Sequence, residues 1–138
     1  ELQEQFPDQV AAKITFNLNL AARIYAGGDI YLMPSKSEPC GLSQMNAMHY
    51  GTVPVVHATG GLKDTVPGVD DNGENGLGYN FQSYNGDDFH NAIKRALKLY
   101  NEDKEAWLAL QVRDMTTDFS WNVPAGRYMD LFKQMIGE

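Results

Sequence analysis

The chain has 138 residues, of which 18 are acidic and 11 are basic, and its net charge is −7. This length suits a single domain, and the negative charge with its scattered basic residues excludes a broad nucleic-acid-binding surface. The single cysteine excludes an internal disulfide and suits a cytoplasmic protein, and no apolar run approaches the ~20 residues that span a membrane.

The first part of the chain alternates strand-like and helical patterns. VAAKITF, at 10–16, predicts a strand with a buried face, and apolar residues at helical spacing predict a helix over 18–28 that stops at two glycines. DIYLMPS, at 29–35, is a short apolar run between turn residues and predicts a central parallel strand. A helix from about Gly41 to Tyr50 comes next.

The second part continues the alternation and then becomes helical. VPVVHAT, at 53–59, predicts a strand whose Pro54 lies near its start or at a sheet edge. The glycine- and Asp/Asn-rich stretch 60–78 predicts a long loop, and YNF at 79–81 predicts a brief edge strand.

Three helices are predicted at the end of the chain. The first has Asn85 or Asp87 as its cap and the second covers about 103–115. The last begins near Ser120 and is expected to bury one apolar stripe: Tyr128, Leu131, Phe132 and Met135.

Alternating strands and helices predict an α/β fold, a parallel sheet with helices on both faces. Such sheets bind ligands beyond the carboxyl ends of their strands. The segments 35–41 and 59–63 each come directly after a predicted strand. We therefore expect the two loops to lie close together and to line one crevice.

The helix that begins after Gly41 is a candidate anion site. The first backbone N–H groups of a helix, here those of Gly41, Leu42 and Ser43, have no partner within the helix, and the helix dipole favours a negative charge there. A second interpretation remains open, in which Ser43 or another polar group caps the helix.

Glu38 is a carboxylate beside this anion site. A carboxylate accepts hydrogen bonds from adjacent sugar hydroxyls, so the two features together suit a ligand with an anionic end and a polyol end. The alternative is a solvated loop acid. Gly60 and Gly61 likewise suit either the close approach of a backbone to a ligand or a plain turn.

The remaining chemical groups predict no metal site. His49, His57 and His90 are too scattered to share an ion; His49 and His90 are expected on the surface, and His57 near the crevice. Cys40 lacks a plausible His and acid pair, so a backbone role is expected for it.

Taken together, these residues resemble the bacterial glycogen synthase and plant starch synthase family. The resemblance rests on DIYLMPSKSEPCGLSQMNAMHYGTVPVVHATGGLKDTV and on the later DFSW, and it covers nearly the whole chain. It implies the Rossmann-like C-terminal domain of a two-domain GT-B glycosyltransferase, with 118–138 as the terminal helical segment. The implied reaction is transfer of glucose from ADP-glucose to the non-reducing end of an α-1,4-glucan, with retention and without a metal or other cofactor.

The resemblance also implies roles for individual residues. Glu38 is the implied catalytic residue and contacts the donor glucose, with the backbone of Cys40 and Gly41 facing the sugar. The implied nucleotide and phosphate contacts are Phe16 on the adenine, Leu42 and Ser43 at the diphosphate, and Thr59, Gly60 and Gly61 at the second turn.

Two departures limit the expectation. Asn46 stands where wider GT-B relatives carry a second Glu; glycogen and starch synthases lack that Glu as well. The family's phosphate-binding Arg and Lys, together with the N-terminal domain, would precede residue 1. We therefore expect this chain alone to be inactive. The alternatives are another retaining GT-B glucosyltransferase, of sucrose or trehalose type, and a non-catalytic nucleotide- or glucan-binding module.

Overall fold

The computed structural model describes residues 1–70 and 73–137. Three parallel strands form one sheet in the order β1 (Ile30–Met33), β2 (Val53–His57) and β3 (Tyr79–Phe81). In register, Leu32 of β1 lies opposite Val55, and Asn80 of β3 lies opposite Val56. The helices of the described residues are α1 (Leu2–Gln5), α2 (Leu18–Gly27), α3 (Ser43–His49), α4 (Gly60–Thr65), α5 (Gly86–Glu102), α6 (Lys104–Thr116) and α7 (Asn122–Ile136).

The central strand β2 is buried along its whole length because helices cover both faces of the sheet. Successive side chains of a strand point to opposite faces. Val55 packs in the cluster formed with α5 and α6, around Leu110, whereas Val56 packs with Met48 of α3 and Leu62 of α4. The predicted α/β architecture is confirmed.

Side-chain caps explain where several helices begin. The Asn17 side chain accepts a hydrogen bond from the Leu20 N–H at the start of α2. Asn85 does the same for α5 and Asp103 for α6, so Asn85 rather than Asp87 is the α5 cap. Each cap satisfies one N–H group that has no partner within its helix.

The strand predicted at 10–16 is wrong. This segment is not a strand in the structure, and the side chains of Ile14 and Phe16 are almost fully exposed. Apolar spacing gives a stretch strand propensity, but a strand also needs a neighbouring edge and a surface to pack on. Within the described residues β1 pairs only with β2, so 10–16 pairs with no strand, and the exposed Ile14 and Phe16 show that it packs on no surface.

The loop predicted at 60–78 begins instead with the short helix α4. Glycine has a low helix propensity, so the two leading glycines predict a loop. The segment is helical because its buried Leu62 packs against the core. Asp71 and Asn72, inside the predicted loop, lie outside the described residues. The strand at Tyr79–Phe81 is confirmed as an edge strand, and Pro54 lies near the start of the central strand rather than at an edge.

The predicted burial of the last helix is also wrong. Each apolar residue of that stripe is about half exposed or more: Tyr128, Leu131, Phe132 and Met135. Helical spacing identifies which residues share a face, but it does not supply an element to cover that face. Among the described helices none is both long enough and apolar enough to cross a bilayer.

Candidate functional site

Two loops meet at the carboxyl edge of the sheet, as the sequence predicts. One joins β1 to α3 and contains Glu38 and Pro39, and the other joins β2 to α4. The Gly61 N–H lies 3.3 Å from the Glu38 carbonyl oxygen and 3.0 Å from that of Pro39. The two loops are therefore fixed to each other by their backbones.

Gly60 and Gly61 are glycines because the first loop lies against them. A Cβ at Gly60 would overlap the Glu38 carbonyl oxygen, and one at Gly61 would overlap the Cys40 carbonyl oxygen. Gly60 also has a φ of +46°, which side-chain-bearing residues rarely adopt. The close approach required here is that of one loop to the other, which sequence reasoning did not foresee.

Glu38 is turned toward its own loop. Its Oε1 accepts a hydrogen bond from the Gly41 N–H at 3.1 Å, and the side chain is partly buried. Within the described residues, Oε2 has no hydrogen-bond partner and the carboxylate makes no ion pair. One oxygen therefore positions the side chain and the other is available to a ligand.

The start of α3 leaves two backbone donors free. The Gly41 N–H is occupied by Glu38, so the expected free donor is wrong for Gly41. In the part of the chain that the structure describes, the N–H groups of Leu42 and Ser43 have no hydrogen-bond partner. No side chain makes an N-cap hydrogen bond at Leu42, so the alternative of a Ser43 cap is wrong, and the polar group that does engage the helix start is Glu38, at the Gly41 N–H alone.

The Ser43 hydroxyl points toward the sheet rather than along the helix end. It donates to the Met33 sulfur at 3.3 Å. Tyr25 and Tyr31 pack edge to face nearby, with ring centroids 5.6 Å apart. Burial raises the pKa of Tyr25 and the neighbouring Tyr31 adds to this, whereas hydrogen bonding with Ser43 lowers it. The phenol therefore stays protonated behind the helix start.

Gln44 is a site residue that the sequence reasoning missed. Its side chain is fully buried, and Nε2 lies 3.3 Å from the Cys40 carbonyl oxygen, 3.1 Å from that of Gly41 and 3.0 Å from the Thr65 hydroxyl. Thr65 in turn donates to the Gly61 carbonyl at 2.6 Å. Glutamine is mostly exposed in proteins, so only its place in the first turn after Gly41 could have drawn attention to it.

His57 lies at the end of the central strand and contacts the backbone just beyond the end of each neighbouring strand. Nδ1 is 2.9 Å from the Ser35 carbonyl oxygen and Nε2 is 3.2 Å from that of Gln82. Its ring also packs against those of Phe81 and Tyr84. The ring is buried, and its contact with the Ser35 carbonyl stabilises the loop that carries Glu38. His49 and His90 are exposed, as predicted.

Of the other predicted residues, Phe16 lies outside the two loops, whereas Thr59 and Cys40 lie within them. Phe16 is 90% exposed and lies in the irregular segment before α2. Thr59 is the N-cap residue of α4 but makes no side-chain capping bond. Cys40 carries an exposed free thiol, and its carbonyl is held by Gln44. Among residues 1–70 and 73–137, no three potential metal ligands cluster.

Residues 8–108 match the family model described as glycosyl transferases group 1. Because the match covers most of the chain, this protein belongs to that family. Within it, the chain is similar to curated glycogen synthases. It is 49% identical to that of Kosmotoga olearia over 98% of this chain, and 45% identical to that of Thermotoga maritima over all of it.

A solved structure agrees with these sequences. The catalytic domain of starch synthase IV from Arabidopsis thaliana, bound to ADP and acarbose, aligns with a TM-score of 0.84 and 35% identity. The alignment covers 99% of this chain and 29% of that one. The chain likewise spans 28% of the length of each of the two glycogen synthases.

Proposed function

We propose that this chain is the donor-binding part of a glycogen synthase of the GT-B type. The intact enzyme transfers glucose from ADP-glucose to the non-reducing end of an α-1,4-glucan and retains the anomeric configuration. The observation that carries the proposal is the loop at 38–43, called the donor loop below, with one free carboxylate oxygen beside two unpartnered N–H groups. It occurs on a fold that aligns, over 99% of this chain, with part of a starch synthase catalytic domain bound to ADP and acarbose.

The diphosphate and the glucose of ADP-glucose bind different groups of this loop. The N–H groups of Leu42 and Ser43 bind the diphosphate, as backbone donors at helix starts bind phosphates elsewhere. Glu38 Oε2 accepts hydrogen bonds from the glucose hydroxyls. The carboxylate beside an anion site is thus explained, because it contacts the sugar and not the phosphates.

The same groups act on the reaction. As the anomeric C–O bond loosens toward an oxocarbenium-like state, negative charge accumulates on the departing diphosphate. Donors already in place stabilise such charge by about 3 kcal/mol each. Glu38 holds the hexose and favours positive charge on its ring.

The nucleotide contacts are proposed on family resemblance together with position. Thr59, Gly60 and Gly61 form the turn beside the donor loop, which suits contacts to the ribose and phosphates. Phe16 is an exposed aromatic and suits stacking on the adenine. The Gly41 N–H already donates to Glu38. The sugar-facing backbone at Cys40 and Gly41 therefore contributes by positioning the Glu38 carboxylate.

The rest of an intact enzyme supplies what this chain lacks. We expect an N-terminal domain to provide the acceptor side of the cleft and the basic residues that bind the phosphates. The isolated chain therefore holds half of a site and elongates no glucan. Elongation by the purified chain would contradict this part of the proposal.

The test is a donor and acceptor assay on the intact protein. We expect incorporation of glucose from ADP-glucose into maltooligosaccharides, with slower or no incorporation from UDP-glucose. A preference for UDP-glucose, or for sucrose or trehalose-type acceptors, would identify a different glucosyltransferase. Binding of ADP or glucan without any transfer would identify a binding module.

A further inference from the structure

We propose that Gln44 is a positioning residue for the donor. Its buried amide fixes the direction of the peptide groups at 40–42, and so aims the Leu42 N–H, one of the two backbone donors that receive the diphosphate. The inference rests on the proposed function and deepens it, since it names what holds the donor loop in its binding form.

The orientation of the Gln44 amide is determined by its surroundings. Nε2 faces the Cys40 and Gly41 carbonyl oxygens and the Thr65 hydroxyl oxygen. The Thr65 hydroxyl already donates its hydrogen to the Gly61 carbonyl, so it accepts from Gln44. Exchanging Nε2 and Oε1 would place an oxygen against three acceptors.

The consequence for the loop comes from the geometry of trans peptides. In a trans peptide the C=O and the following N–H point in opposite directions, and no described peptide bond of this chain is cis. With the Cys40 carbonyl turned inward to Gln44, the Gly41 N–H points away and meets Glu38 Oε1. With the Gly41 carbonyl also turned inward, the Leu42 N–H points away from Gln44 and stays unpartnered.

Stability alone does not account for an amide at this position. Gln44 Oε1 is buried without a hydrogen-bond partner, and an unpaired buried acceptor is unfavourable. A methionine would fill a similar volume without that cost. Gln44 also packs so closely on Gly41 that a Cβ there would lie 2.5 Å from Oε1. What glutamine adds to methionine is donation to the loop carbonyls.

Thr65 extends the same network to the second loop. Its hydroxyl connects the Gln44 amide to the Gly61 carbonyl, and the Gly61 N–H bonds back to the first loop. Loss of Thr65 leaves Gln44 facing both carbonyls of the donor loop. Its removal should therefore disturb donor binding less than removal of Gln44.

The experiment compares four variants of the intact protein with the wild type: Gln44→Met, Thr65→Val, Thr65→Ser and Gln111→Met. Gln111 is the matched control, because its Nε2 also donates to a glycine carbonyl, that of Gly51, at the opposite end of α3. The readouts are the inhibition constant of ADP, kcat/KM for ADP-glucose and KM for the glucan. The inhibition constant does not depend on the fraction of enzyme that is folded.

Gln44→Met should raise the ADP inhibition constant about tenfold and lower kcat/KM for ADP-glucose at least tenfold, with KM for the glucan unchanged. Thr65→Val should show a smaller loss, and Thr65→Ser and Gln111→Met should stay within about twofold of wild type. Unchanged donor parameters in Gln44→Met would overturn the inference. An equal loss in Gln111→Met would overturn it too, because the effect would then be general loss of packing.

Failure of the proposed function is distinguishable from failure of this inference. If the wild-type protein transfers no glucose but binds ADP, calorimetric titration of the same variants with ADP replaces the inhibition constant. Weaker binding in Gln44→Met alone then supports the positioning role while the transferase is rejected. If the wild type binds no ADP at all, both proposals are overturned.

Discussion

Glu38 and Gly41 form a closed pair in which the carboxylate Oε1 accepts the backbone N–H three residues later, at 3.1 Å. The loop therefore orients its own acid before any ligand arrives. Because the second oxygen is unengaged within the described residues, the arrangement suits the proposed role of a preoriented acceptor for the donor sugar.

Glu38→Gln tests the charge of this acid while leaving its shape. The amide oxygen of glutamine can still accept from the Gly41 N–H, so the loop should keep its form. We expect turnover by the intact enzyme to fall about 100-fold because favourable charge near the anomeric centre is lost, and ADP affinity to change less than about threefold. Steady-state kinetics and calorimetry measure the two quantities.

Glu102→Gln, at the exposed end of α5, is the matched control and should behave as wild type. A collapse of ADP affinity with unchanged turnover per bound donor would assign Glu38 to the nucleotide instead of the sugar.

Gly61→Ala tests the contact between the two loops. Its new Cβ would overlap the Cys40 carbonyl, and both segments are fixed by backbone hydrogen bonds. We expect the free energy of unfolding to fall by about 1–3 kcal/mol and ADP affinity to fall with it. Denaturant unfolding and ADP titration provide the measurements.

Gly126→Ala is the corresponding control in α7, where a Cβ would meet no atom within 4 Å. Alanine is the better helix former by up to about 1 kcal/mol, so this variant should be as stable as wild type or slightly more stable. Equal destabilisation by the two substitutions would refute the proposed loop contact.

The sequence predicted the parts of this site that depend on local pattern. The strand and helix around Glu38 and the meeting of two loops can be read from apolar runs, glycines and the rule that parallel strands end at one edge. The role of Gln44 cannot, because it depends on Thr65, which is distant in sequence, and on peptide orientations. The segment 10–16 failed for a related reason, since its apolar spacing resembles a strand whether or not a neighbouring strand is present.

His57→Phe tests whether the hydrogen bonding of the His57 ring stabilises the strand ends next to the donor loop. Phenylalanine preserves a ring between Phe81 and Tyr84 but donates no hydrogen bond, so the Ser35 and Gln82 carbonyls lose their nearest side-chain partner. Losing a hydrogen bond to a backbone carbonyl costs about 1 kcal/mol, and we expect that loss in denaturant unfolding. His90→Phe, at an exposed position of α5, should change stability little; an equal loss there would argue against a specific role for His57.

Asp114 gives the protein a pH-dependent stability that is separate from the donor site. The side chain is fully buried in α6, and neither carboxylate oxygen has a hydrogen-bond partner within the described residues. Burial raises the pKa of Asp114 from 3.8 to about 8, and the neighbouring Arg113 only partly opposes this. The folded protein thus retains a proton that the unfolded chain releases.

The sign of the effect is set by the protons bound in each state. Between about pH 4 and pH 8 the folded state binds one proton more than the unfolded state, so the free energy of unfolding falls as the pH rises. The slope is at most about 1.4 kcal/mol per pH unit. Above about pH 8 both states have released the proton and the slope from this group disappears.

Asp114→Asn should flatten this profile, because asparagine has the same shape and carries no titrating proton. Denaturant unfolding at several pH values from 5 to 8 would measure it, with the largest gain in stability over wild type at the alkaline end. Asp64→Asn removes an exposed carboxylate in α4 and should leave the wild-type slope in place. A profile for Asp114→Asn that runs parallel to wild type would mean that the buried carboxyl does not hold its proton in the folded protein.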